Sequence, residues 1–156
     1  MIRIEIPGKK SLQLEYLLLD FNGTIALDGK LRSGVAENIT TLSRSLQIHV
    51  VTADTFGNAL RQLERLPVTC KVIPPYHEAK NKLTYLKKLG KDRSIALGNG
   101  ANDFLMLKNA ALAIAVMQEE GASSTAIVNA DIVMKDINEA LKLLFNEQRL
   151  IATLRE

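Results

Sequence analysis

The chain has 156 residues, 47% of them hydrophobic and 24% charged, with a formal net charge of +3. That balance belongs to an ordinary globular protein and argues against intrinsic disorder. The excess of positive charge is small, Trp is absent and aromatic residues make up 4%, so the chain lacks the rings on which nucleic-acid bases stack, and no nucleic-acid partner is expected.

Ile2, Ile4 and Ile6 alternate with Arg3 and Glu5, the period of a half-buried strand. The opening MIRIEIPGKK has no long apolar stretch, so no secretory leader is expected. Pro7-Gly8 marks a turn, after which Leu12 and Leu14 alternate again. Residues 16–19 are continuously apolar, as in a strand buried on both faces, and the run stops at Asp20. Asn22-Gly23 is a turn signal, and Asp28-Gly29 between Leu27 and Leu31 predicts a tight hairpin. Val35, Ile39, Leu42 and Leu46 recur with helical spacing. A short strand over Ile48, Val50 and Val51 ends at Thr52, and a helix over 56–66 is closed by Pro67. The strand at 68–73 holds the only cysteine, Cys70, which excludes a disulfide framework and a multi-cysteine zinc site. Ala79, Leu83, Leu86 and Leu89 mark a helix that Gly90 stops.

A strand at 94–97 leads into Gly98-Asn99-Gly100, and 104–107 starts a short helix. The longest apolar run, 110–117, contains a buried strand and is far shorter than the roughly 20 residues that cross a bilayer. No membrane association is expected, and a cytoplasmic location is. A helix over 121–128, a strand over 132–134 and an amphipathic helix through Ile137, Leu141 and Leu144 complete the pattern. This alternation predicts an α/β, three-layer Rossmann-like fold: a central, mostly parallel sheet with an N-terminal β-hairpin. We expect one domain over 1–156, with 146–156 as a C-terminal helical tail.

In such folds the chemistry sits at the carboxyl ends of the strands. Four segments there or at helix starts carry reactive groups: Asp20-Phe21-Asn22-Gly23-Thr24, Thr52-Ala53-Asp54, Lys80, and Gly98-Asn99-Gly100-Ala101-Asn102-Asp103. Asp20 can act as a carboxylate nucleophile toward phosphorus. Gly23 lets backbone N–H groups approach phosphate oxygens. Thr52 offers a hydroxyl, and Lys80 a point charge. Asp103 with Asp20 can hold a hard cation. Asp54 is either part of this set or a helix cap.

In order and spacing the four segments resemble the motifs of the haloacid dehalogenase (HAD) superfamily of phosphatases and phosphotransferases. DFNGT at 20–24 is similar to DxDGT, VVT at 50–52 to a strand ending in Ser or Thr, and GNGAND at 98–103 to GDGxND. Within the superfamily, Thr52-Ala53-Asp54, GNGANDFLML and the run from Lys80 to Gly98 resemble the phosphorylation domain of P-type ATPases. The resemblance implies phosphorylation on Asp20, with Asn22, Thr52 and Lys80 as its catalytic partners. Gly23, Thr24, Thr52, Ala53, Lys80 and Asn102 would grip the phosphoryl group. Mg²⁺ would be held by Asp20, Asn22 through its backbone carbonyl, Asn99 and Asp103.

The gaps from Asp20 to Thr52 and from Thr52 to Lys80 are too short for a cap domain or an inserted nucleotide-binding domain. A capless, open site implies a phosphorylated substrate, small or macromolecular, or a homo-oligomer whose neighbours cover the site. Asn22 and Asn99 stand where the superfamily has Asp. Asn22 cannot exchange a proton, which points to slow hydrolysis, and Asn99 removes a negative charge from the metal site. The function expected is a Mg²⁺-dependent phosphohydrolase or phosphotransferase; the alternative is a phosphate-binding or regulatory module with impaired catalysis.

Overall fold

The structure is a computed structural model that describes residues 1–54 and 56–156. The N-terminal alternation forms an antiparallel hairpin of β1 (Ile2–Ile4) and β2 (Leu12–Leu14), in register Ile2 opposite Leu14. Ile4 and Leu14 point from it into the core. The main sheet comprises β3 (Tyr16–Asp20), β6 (Gln47–Thr52), β7 (Val68–Val72), β8 (Ser94–Gly98), β9 (Leu112–Val116) and β10 (Ile132–Met134). All its neighbours are parallel, in the order β10-β9-β8-β3-β6-β7. The chain runs outward from β3 through β6 to β7, then returns to the other side of β3 as β8. That reversal opens a crevice at the carboxyl ends of β3 and β8, the usual ligand position in such a sheet.

β3 lies at the centre, and its alternation divides the core. Leu17 and Leu19 pack on one face with Ile48, Val50, Ile95 and Leu97, under α1 (Val35–Leu42) and α6 (Ile137–Leu143). Leu18 points to the other face, with Val51, Ala96 and Ala113, under α3 (Glu78–Leu89) and α4 (Phe104–Asn109). Small side chains at 96 and 113 let α3 and α4 settle close to the sheet. α2 (Asn58–Leu63) and α5 (Ser124–Val128) are shorter than the sequence predicts. Pro67 and the Leu66 turn close the first. Ser123 starts the second, its Oγ accepting the Ala126 N–H at 3.0 Å.

The tail forms α7 (Glu147–Leu154), capped by Asn146. Leu150 is wholly buried in the protein's own core, and Ile151 and Leu154 pack against it. The apolar side of the tail therefore docks on the protein's own core. No helix among the described residues is long and apolar enough to cross a membrane.

Candidate active site

The residues that end β3, β6 and β8 wall an open cleft of about 480 Å³, lined among others by Asp20, Asn22, Thr52, Ala53, Asn99 and Asn102. At its floor lies a buried ionic triad. Lys82 Nζ stands 2.6 Å from Asp20 Oδ1 and 2.6 Å from Asp103 Oδ1, with 1% of the lysine side chain exposed. Burial pulls the Lys82 ammonium down, but the charges and hydrogen bonds of the two carboxylates outweigh it and hold the group above the ordinary lysine range. Burial pushes Asp103 up to about 6, the charge of Asp20 adding to the effect and Lys82 opposing it.

The lysine expected from the sequence was Lys80. In the structure Lys80 is exposed, and Lys82 occupies the floor. The reason is helical phase: Lys82 lies three residues after Ala79 and four before Leu86, on the face that α3 turns to the sheet. Lys80 lies on the solvent face.

Asp20 is fixed by a donor on each oxygen, Lys82 on Oδ1 and the Thr24 hydroxyl on Oδ2 at 3.1 Å. The same hydroxyl lies 3.3 Å from Asn99 Oδ1. Thr24, expected on phosphate, is wholly buried and orients Asp20 instead. Gly23 has φ +80° and donates its N–H to the Ala26 carbonyl at 2.8 Å, so this amide is not turned toward a phosphate. Asp103, expected on metal, is sealed from solvent. Its Oδ1 holds Lys82, and its Oδ2 accepts the N–H groups of Asn99 and Gly100, both at 2.9 Å. Asp103 thus anchors both the lysine and the loop after β8.

Asn22 is committed to the neighbouring flap. β4 (Ala26–Leu27) and β5 (Lys30–Leu31) form the predicted hairpin, turning through Asp28 and Gly29, both at positive φ. Asn22 Oδ1 accepts the Gly29 N–H at 3.1 Å, and Gln62 Oε1 accepts that of Leu31 at 3.1 Å. Thr52 is buried at the end of β6, its Oγ1 accepting the Asp54 N–H at 3.1 Å. Asp54 accepts the N–H groups of Phe56 and of Ala59 in the first turn of α2, whose N-cap position is Gly57, while also lining the cleft. Asn102 donates to Glu78 Oε2 at 2.6 Å.

Two carboxylates of the cleft, Glu78 and Glu120, were not singled out in the sequence. Neither follows a sheet strand directly, and no spacing announces them. His49 and Cys70 lie elsewhere. His49 meets the Tyr85 hydroxyl at 2.9 Å, and burial lowers its pKa. Cys70 is half-buried against the core.

The donors that face the cleft are all oxygens: the Asp20 carboxylate, the Asn99 amide and Glu120, with Asn22 in the same wall. Hard oxygens of this kind suit Mg²⁺. Among the described residues no three His, Cys, Asp or Glu side chains converge to hold a metal ion. A cation here would therefore need neutral oxygens as well as carboxylates.

The fold is similar to that of solved HAD hydrolases, among them one from Legionella pneumophila, with TM-score 0.72 and 16% identity over 90% of this chain and 87% of that one. It superposes on 3-deoxy-D-manno-octulosonate 8-phosphate phosphatase from Moraxella catarrhalis, a structure in complex with magnesium, phosphate and KDO, with TM-score 0.72 and 12% identity over 89% of this chain and 90% of that one. The cobalt-bound deoxy-D-mannose-octulosonate 8-phosphate phosphatase of Haemophilus influenzae gives 0.69 and 13%, over 88% and 90%. No established family profile matches the chain. It is 54% identical over 79 residues to the uncharacterized protein MJ0073 of Methanocaldococcus jannaschii, covering 48% of this chain and 85% of that protein, and it belongs to the same family. MJ0072 of the same organism is 51% identical over 39 residues, covering 25% of this chain and 89% of that protein.

Proposed function

We propose that the protein is a divalent-metal-dependent phosphohydrolase or phosphotransferase working through an aspartyl phosphate on Asp20. The observation that carries this reading is the floor triad. A carboxylate at the carboxyl end of the central strand is held by a donor on each oxygen, with a buried ammonium beside it. Asp20 attacks phosphorus; an O–P bond forms as the bond to the leaving group breaks, and the leaving group departs with the electron pair. Water then attacks the same phosphorus, releasing phosphate and restoring Asp20. Lys82 stabilises the negative charge that builds between the reacting oxygens. Thr52 and Ala53 border the phosphoryl group from the end of β6.

Mg²⁺, the metal we infer, would be held by Asp20, Asn99 and the backbone of Asn22. Bound there, it would neutralise charge on the phosphoryl oxygens. The P-type ATPase resemblance, the open capless cleft and a cytoplasmic location belong to the same proposal. The cleft wall carries Asp54, Glu78 and Glu120 and, among the described residues, no Lys or Arg. It favours a substrate whose one strong anion is the phosphoryl group itself.

Asn22 has no proton to give a departing alkoxide, so acyl phosphates and phosphoanhydrides should react ahead of alkyl esters. A second reading is supported by the engagement of Asn22 with the flap: a module that holds a phosphoryl group and turns it over little. The test is incubation with acetyl phosphate and Mg²⁺, then borohydride reduction and mass spectrometry. Conversion of Asp20 to homoserine with steady phosphate release marks the enzyme; conversion without release marks the holding module. Phosphate release unchanged in Asp20→Asn overturns both.

A further inference from the structure

The proposed chemistry leaves three cleft carboxylates unused: Asp54 and Glu78 are held by hydrogen bonds and, among the described residues, Glu120 is not. It follows Glu119, yet the two side chains part company. Glu119 forms a two-pronged ion pair with Arg32, at 2.7 and 3.0 Å, outside the cleft. Glu120 makes no hydrogen bond or ion pair among the described residues and turns into the cleft. A β-carbon built on Gly23 would lie 2.3 Å from Glu120 Oε2, 2.5 Å from Asn99 Nδ2 and 2.7 Å from Asn99 Oδ1. The acid and the amide therefore converge on one small space above the Asp20 loop, which a glycine keeps open.

The loop bearing Glu120 is fastened to both sides of that space. Gln118 Nε2 donates to the Gly23 and Thr24 carbonyls at 3.2 and 3.0 Å. Asn99 Nδ2 donates to the Gly121 carbonyl at 3.1 Å, and the Ser123 N–H to the Asn99 carbonyl at 2.8 Å. The position of Glu120 over Asn99 is thus built by the fold. Around the floor, Asp20 and Asp103 against Lys82 leave a single negative charge, a weak draw for a divalent cation. Glu120 doubles it.

We propose that Glu120 supplies the carboxylate that Asn99 withholds, completing the oxygen set for a divalent cation directly or through a bridging water. This rests on the metal-dependent reading above.

The test is a titration of the fresh protein with Mn²⁺, followed by electron paramagnetic resonance, which reads free metal without any turnover. Glu120→Gln should weaken Mn²⁺ binding about tenfold or more, the scale on which residues around a metal act. Glu119→Gln should bind as the unaltered protein does, and Asn99→Asp added to Glu120→Gln should restore affinity. Thermal melts without metal check that each variant is folded. Equal Mn²⁺ affinity in Glu120→Gln and the unaltered protein overturns the role of Glu120 while leaving the metal-dependent reading standing. Absence of Mn²⁺ binding in the unaltered protein at millimolar concentration overturns both.

Discussion

Lys82 Nζ sits 2.6 Å from Asp20 Oδ1, reaching the end of the central strand from a helix on one face of the sheet. Its partner on the other side, Asp103, closes the loop after β8 around it. One ammonium therefore ties together three elements that the chain visits far apart.

Lys82→Met should lower phosphate release from acetyl phosphate by about 10² or more, the usual cost of removing a preorganised charge from a reacting oxyanion. Lys80→Met should leave it within twofold. Steady-state rates of the two variants measure the contrast, and equal losses would contradict the placement of Lys82.

The same substitution should change how stability depends on pH. Removing one member of a buried ion pair costs about 3–5 kcal/mol. Asp103, already pushed up to about 6, loses the ammonium that opposed the rise. In the folded variant it holds a proton that the unfolded chain has released, so stability falls as pH rises through that interval. Melting temperatures at pH 5 and pH 8 should differ more for Lys82→Met than for the unaltered protein, with the lower value at pH 8.

Asn22→Asp should raise hydrolysis of an alkyl phosphate ester by up to about 10², since a carboxyl group can protonate the leaving oxygen. An aspartate oxygen can still accept the Gly29 N–H, so the flap should hold. Rates for a sugar phosphate and for acetyl phosphate, compared in both proteins, should show the larger gain for the sugar phosphate.

Gly23→Ala should destabilise the protein. The left-handed backbone alone costs about 1–2 kcal/mol for a residue with a β-carbon. The new methyl would also strike Asn99 and Glu120. A melting temperature lower by at least about 4 °C is expected, together with weaker Mn²⁺ binding.

The strand ends were legible because a parallel sheet writes its strands as apolar runs and its cleft-lining residues where those runs stop. Asp20, Thr52 and Asn99 followed from that rule. Lys82 was written in the helix period, between Ala79 and Leu86, but a lysine is normally read as solvated and the apolar positions were counted without it. Thr24 and Asp103 stood in the segments singled out, but their bonds to Asp20 and Lys82 were not foreseen. Their hydrogen bonds depend on how the β3 and β8 loops meet, which spacing along the chain does not encode. Glu120 reaches the cleft because Gln118 clamps its loop to Gly23 and Thr24, a contact between distant segments.

The amides that follow the two asparagines bear on how the protein ages. When the glycine nitrogen attacks the side-chain carboxamide of a preceding asparagine, ammonia leaves and a cyclic imide forms, which water opens to aspartate or isoaspartate. Here the Gly23 nitrogen donates to the Ala26 carbonyl, and the Gly100 nitrogen to Asp103 Oδ2. The folded chain thus shields both sites from this chemistry, while an unfolded chain exposes both. Aspartate at 22 or 99 in a stored sample would be a lasting mark of molecules that had come unfolded, and such molecules, once refolded, would carry the very carboxylates that the gene leaves out.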